Sequence, residues 1–161
     1  MLEPIDRKIL SLLQRDGRLT NAELAEALNM SSSACHRRVK LLEEKGVIKR
    51  YAAIVDRKAI GLKAVAFISV KLETHSTEML DAFESAIEGM DEVVECYAVS
   101  GGGDYILKVV ASDIDTFSEL AIKKLARLPG VKDSTSNFIL STMKLSPGWP
   151  VDLAGQTQGQ T

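Results

Sequence analysis

Histidine and cysteine, the residues that most often build catalytic and metal sites, are scarce: two of each in 161 residues. Cys35 and Cys96 lie 61 residues apart with no CxxC or Cys/His ligand spacing around them, which excludes a disulfide framework and a zinc site. Both are expected to be reduced and buried as small apolar residues. No apolar run approaches the roughly 18 residues of a spanning helix, and the opening MLEPIDRKIL sets charges where a signal peptide has its apolar core. The chain is therefore read as cytoplasmic, without a membrane partner. No Ser/His/Asp, Cys/His or paired-carboxylate arrangement can be assembled from it, so no catalytic function, cofactor or metal is expected. What is present, 45% hydrophobic and 26% charged residues, is the composition of a folded globular protein.

The net charge of −2 conceals an asymmetry. Residues 1–60 carry 12 Lys/Arg against 8 Asp/Glu, a net of +4, and residues 61–161 carry 8 against 14, a net of −6. The first part suits a polyanionic partner and the second does something else.

In the basic part, Ile5, Ile9, Leu12 and Leu13 recur at helical spacing and predict a helix over 4–15. Thr20-Asn21-Ala22-Glu23 is a capping box that opens a second helix, with Leu24, Ala25 and Leu28 as its apolar stripe. After the break at Asn29-Met30, the hydroxyls of Ser31, Ser32 and Ser33 offer caps for a third helix that runs to about Lys45 and stops at Gly46. This is the outline of a helix-turn-helix. On the third helix Cys35, Val39 and Leu42 share a packing face, and Ser33, His36, Arg37 and Lys40 lie broadly opposite. A DNA major groove admits such a helix. Arg37 is the first choice for a base contact, because its planar fork binds two acceptors on guanine. Lys40 and Arg38 suit phosphates, although Arg38 has an alternative pairing with Glu43 or Glu44.

Residues 47–56 change to alternation and are read as a strand that follows the recognition helix as a wing, bringing Lys49 and Arg50 to flanking phosphates. The predicted DNA-contact set is therefore Ser31, Ser32, Ser33, His36, Arg37, Arg38, Lys40, Lys49 and Arg50. The domains are expected at 1–46 (winged-helix-like helix-turn-helix), 47–61 (strand and hinge), 62–145 and 146–161, the last a flexible tail in which Trp149 is docked on a neighbouring subunit or loose.

The acidic part predicts strands over 62–72, 93–99, 105–111 and 131–145, with helices over 77–90 and 115–128. This βαββαβ order is that of the ferredoxin-like fold, and the whole chain is α+β. Two helices cover only one face of a four-stranded antiparallel sheet. Phe67, Tyr97 and the strand Tyr105-Ile106-Leu107 suggest an apolar second face, covered by a second copy in a two-fold sheet-on-sheet dimer. Ser100-Gly101-Gly102-Gly103-Asp104 joins two strands. It is either a permissive turn or a site where bared amides hold a carboxylate and Asp104 holds an ammonium.

The stretches IDRKILSLLQRDGR, LAEALNMSSSACHRRVKLLEEKGVI, KRYAAIVD, ECYAVSGGGDYILKV and LARLPGVKDSTS resemble, in order and spacing, those of the Lrp/AsnC (feast/famine) transcription regulators, from Ile5 to about Leu145. The resemblance implies a DNA-binding helix-turn-helix, a hinge strand, and an effector domain that dimerises and assembles further into octamers. It implies a small-molecule site where dimers meet, lined by Ser100, Gly101, Gly102, Gly103 and Asp104, with Ile114, Asn137, Phe138 and Ile139 at positions that affect the effector response. An amino acid is the implied effector. The chain departs from the family in having Gly102 and Gly103 where members carry an acid and a bulkier residue, which widens the site or loosens the loop. Ser33-Ala34 also replaces a frequent Thr-Pro, so the operator sequence does not transfer. Two other readings remain: an architectural protein that wraps DNA with little effector control, and an enzyme like the sirohaem decarboxylases. The latter is disfavoured by the −6 field and by His75 being the sole histidine of that part.

Overall fold

The computed structural model describes residues 2–153. They form two units, one comprising residues 2–54 together with 143–153, and the other residues 55–142.

The first unit contains α1 (Pro4–Arg15), α2 (Asn21–Ala27) and α3 (Ser32–Glu44). Local chemistry fixes their ends. The Thr20 hydroxyl accepts the Glu23 N–H, and the Glu23 carboxylate accepts the Thr20 N–H at 2.7 Å, so the capping box forms as read. Asn29 takes φ +52° in the turn before α3, a left-handed conformation that Asn tolerates better than most residues. Gly46 at φ +67° ends α3. Ile9, Leu10, Leu24, Ala25, Cys35, Val39 and Leu42 form the core, which confirms the packing face of α3.

The second unit runs β1 (Ala64–Leu72), α4 (Thr77–Glu88), β2 (Val93–Ala98), β3 (Tyr105–Ala111), α5 (Ile114–Lys123), one 3-10 turn (Leu125–Arg127) and β4 (Val131–Phe138). The strands are antiparallel in the order β2-β3-β1-β4, the ferredoxin-like arrangement. Ala66, Ile68, Val70, Leu107 and Val109 pack from the sheet against Phe83, Ile87, Phe117 and Leu120 of the helices.

Several details depart from the sequence reading. Residues 47–56 are extended without strand pairing: alternation favours an extended backbone, but a strand needs a ladder partner and none stands beside it among the described residues. The last strand ends at Phe138 rather than 145. Beyond it only the Ile139 N–H bonds β1, at the Val65 carbonyl. Cys96 is exposed, because β2 is an edge strand that the helices cover incompletely. Tyr105 and Leu107 face the core rather than the open side. Tyr105 lies 4.7 Å from Phe83, ring to ring, so Ile106 alone of that trio contributes to the outer face. On that outer face Phe67 and Tyr97 are 39% and 53% exposed. Finally, the segment after residue 145 docks on α1 through Gln14 and Arg7 instead of trailing free, as far as Leu153.

Candidate functional site

The N-terminus of α3 carries the hydroxyl cluster. Ser31 caps the helix, its Oγ accepting the Ala34 N–H at 3.3 Å, so this hydroxyl serves the helix first. Ser32 and Ser33 are exposed in the first turn. His36 and Arg37 follow on the exposed side. Asn21 of α2 donates to His36 Nδ1 at 3.0 Å, so neutral His36 carries its proton on Nε2 and retains a donor. Arg37, Lys49 and Arg50 are exposed and have no ion-pair partner among the described residues. Lys40 lies 3.7 Å from Glu44 with both side chains mostly solvated, a pair too weak to withhold it from a phosphate.

Arg38 is different. Its guanidinium donates to Glu3 at 2.7 Å and to Asp6 at 2.8 Å, and the bonds to Glu3 and then Asp6 raise its pKa further. Both bonds run to the start of α1 and none to Glu43 or Glu44. The planar fork matches two carboxylates at once and fastens the recognition helix to the start of α1. Glu3, Asp6 and Asn21 therefore support the reading face without belonging to it. Glu43 receives instead the Tyr51 hydroxyl at 2.9 Å; partial burial, then this bond, pushes the phenol up to about 12.

In the second unit the three glycines have three distinct roles. Gly101 sits at φ +136°, open only to a residue without Cβ. Gly102 faces open space. At Gly103 a Cβ would lie 3.3 Å from the Val70 carbonyl oxygen and overlap the Ser69 Oγ, so this glycine is a packing requirement that presses the loop onto β1. Asp104 anchors the same junction. Its carboxylate accepts the Leu72 N–H at 2.7 Å and bonds His75 Nε2 at 2.8 Å, while its own N–H donates to the Val70 carbonyl. The Leu72 amide first, and His75 second, hold the carboxyl below its usual range. Both carboxylate oxygens are thus engaged within the chain, each with a second lone pair left for a further donor. The sequence reading did not place His75 at the loop; its one signal was a lone histidine directly after an expected strand.

The remaining effector candidates lie elsewhere on the sheet. Asn137 and Phe138 pair with Phe67 and Ala66, and Ile139 bonds Val65. Phe138 meets Phe117 edge to face at 4.7 Å, on the helix whose first residue is exposed Ile114. The loop, by contrast, is bonded at Val70 and Leu72. At about 3.3 Å per residue the two groups are separated by roughly 10 Å or more along β1, from Phe67 to Val70.

Family models match both units: a winged helix-turn-helix DNA-binding domain over residues 2–49 and an Lrp/AsnC ligand-binding domain over residues 65–149. The chain belongs to the Lrp/AsnC family. Among Lrp/AsnC relatives, the leucine-responsive regulatory protein of Klebsiella pneumoniae is 34% identical over 90% of this chain and 88% of its own. The DNA-binding transcriptional activator DecR of Escherichia coli K12 is 34% identical over 94% of this chain and 100% of its own. A Neisseria meningitidis transcriptional regulator solved in complex with L-Met superposes with a TM-score of 0.91 at 34% identity, covering 96% of this chain and 99% of that one. An Lrp/AsnC chain is a DNA-binding transcriptional regulator with a ligand-binding domain, and the helix-turn-helix and ferredoxin-like units are the corresponding parts here. Among the described residues no helix is long and apolar enough to cross a membrane.

Proposed function

We propose that this chain regulates transcription as an assembly of copies, and that an amino acid bound between copies shifts its assembly state or its affinity for DNA. The observation that carries this reading is the separation of the two groups of effector residues. Ser100–Asp104 and the group formed by Ile114 and Asn137–Ile139 do not meet in one chain, so a single site using both needs residues from two copies. The L-Met complex of the Neisseria relative supports an amino acid as the ligand. The exposed Phe67 and Tyr97 support two-fold pairing of sheet faces, which brings two recognition helices together for a pair of half-sites; an octamer is the expected larger assembly. Ser32, Ser33, His36, Arg37, Lys40, Lys49 and Arg50 contact DNA, with Arg37 on a base. The role is regulatory rather than catalytic and is exercised where the DNA is, in the cytoplasm. A ligand shifts such an equilibrium only by binding one state more tightly.

Thermal-shift and light-scattering measurements across the amino acids, starting with L-methionine, test the effector. A bound ligand raises the apparent stability of the folded state and changes the particle mass; a panel in which no amino acid does either overturns the reading. For DNA, Arg37→Ala reduces affinity for a fragment selected by the wild-type protein by about 1–3 kcal/mol without lowering the melting temperature. Arg38→Ala lowers the melting temperature. Unchanged gel-shift affinity in Arg37→Ala removes Arg37 from the reading face.

A further inference from the structure

Residues 146–152 belong to no helix or strand, yet they are held on α1 by main-chain recognition. The Gln14 side-chain amide grips the backbone of one residue on both sides of its Cα: its Nε2 donates to the Trp149 carbonyl at 3.0 Å and its Oε1 accepts the Trp149 N–H at 2.5 Å. The Arg7 guanidinium donates to the Val151 carbonyl at 3.0 Å, and the Val151 side chain packs against the first unit's core. The Ser146 hydroxyl closes a turn onto the Gly148 carbonyl at 2.7 Å. Gly148 lies so close to the Gln14 side chain that a Cβ would overlap it. The indole of Trp149 is 85% exposed, so the backbone, not the ring, makes the attachment. Pro147 and Pro150 restrict φ on either side and reduce the entropy lost on docking.

We propose that the α1 surface of Arg7, Ser11, Gln14 and Arg15 is a peptide-binding groove, that its occupant is this chain's own segment 146–152, and that the docked strap is a second tether on the DNA-reading unit. Beside the strap the groove keeps a cleft of about 250 Å³. The chain leaves the first unit after Ile54 and re-enters it at Met143. The outgoing tether, residues 49–56, has no ladder to stiffen it. The returning tether starts at Ile139, which is bonded to β1. With one tether the reading head samples a wide volume, and with two it samples a narrower one, which limits the half-site spacings a pair of heads can bridge. This role of the strap rests on the DNA-binding reading above; occupancy of the groove does not.

Trp149 is the sole tryptophan of the chain, so its fluorescence anisotropy reports the strap directly. In the full-length protein we expect slow indole motion and a Trp149 amide that exchanges at least about tenfold more slowly than in an unstructured peptide. Gln14→Ala, alone or with Val151→Asp, brings both to free-tail values while the circular dichroism is retained. A wild-type Trp149 amide exchanging at the unstructured rate, or anisotropy indifferent to both substitutions, overturns the groove. On duplexes carrying two half-sites at graded spacing, the docked wild type discriminates sharply, and the double variant or a chain ending at Leu145 discriminates less. Equal discrimination overturns the tether role. Wild-type protein that bound no DNA at all would overturn the regulator reading together with the tether role built on it, leaving the exchange result to decide the groove.

Discussion

In the first unit, α3 presents Arg37 with no ion-pair partner among the described residues, and the extended segment after it presents Lys49 and Arg50 in the same condition. In the second unit, the loop after β2 presents almost no side chain: three glycines, and an aspartate whose two oxygens are already bonded by Leu72 and His75. A surface that reads DNA keeps donors in reserve for phosphates and base edges. A loop that lies close against a neighbouring strand instead needs a shaped, pre-bonded backbone. The first kind of site is damaged by removing atoms and the second by adding them, while the cores beneath both respond to loss of volume.

The largest effect is expected in the core of the second unit. Phe83 is completely buried and stacked on Tyr105, so Phe83→Ala costs roughly 3–5 kcal/mol in denaturant unfolding. Arg37→Ala, at an exposed side chain without an ion-pair partner among the described residues, leaves the unfolding midpoint in place; equal losses of stability in the two variants would erase the distinction between the units. A smaller effect tests the loop by addition. Gly103→Ala forces a Cβ against Ser69 and Val70 and costs about 1–3 kcal/mol, part of which Ser69→Gly restores. Gly102→Ala, one residue away but in open space, stays within about 0.5 kcal/mol. If the two glycines respond alike, the close approach to β1 is not what Gly103 serves.

The smallest effect is electrostatic. The Asp104 carboxyl is held below its usual value by the Leu72 amide and then His75, so the unfolded chain takes up this proton at higher pH than the folded one. The contribution is complete above the unfolded carboxyl pKa of about 3.9 and disappears as pH falls through the lower folded value. Urea midpoints of the wild type and Asp104→Asn should differ most at neutral pH and converge in acid. A gap that widens in acid would contradict the bonding of Asp104.

How much could be read in advance follows the range of the interactions. The capping box at Thr20 and Glu23, the stop at Gly46, the buried trio Cys35, Val39 and Leu42 and the βαββαβ order depend on residues within a few positions of one another, where spacing alone sets geometry. The bond from Arg38 to Asp6 is not legible in the sequence because it spans 32 positions. His75 was overlooked because Asp104 lies 29 positions away. The tail was read as flexible because Gln14 precedes Trp149 by 135 positions. Cys96 and the pair Tyr105 and Leu107 were assigned to the wrong surroundings for a related reason. Alternation distinguishes two faces of a strand, but which face the helices cover depends on register and on which strand lies at the edge.

The sequence by itself therefore determined the helix-turn-helix, the strand and helix order of the second unit, the charge division of +4 and −6 and the family resemblance, since all of these are written in short-range pattern and composition. Only the tertiary structure decided which cations of the first unit lack an ion-pair partner among the described residues, which glycine is required by packing, that the expected effector residues fall into two groups along β1, and that Trp149 and Val151 return to the first helix. Each of those depends on atoms brought within bonding distance by the fold, and no spacing along the chain encodes such a distance.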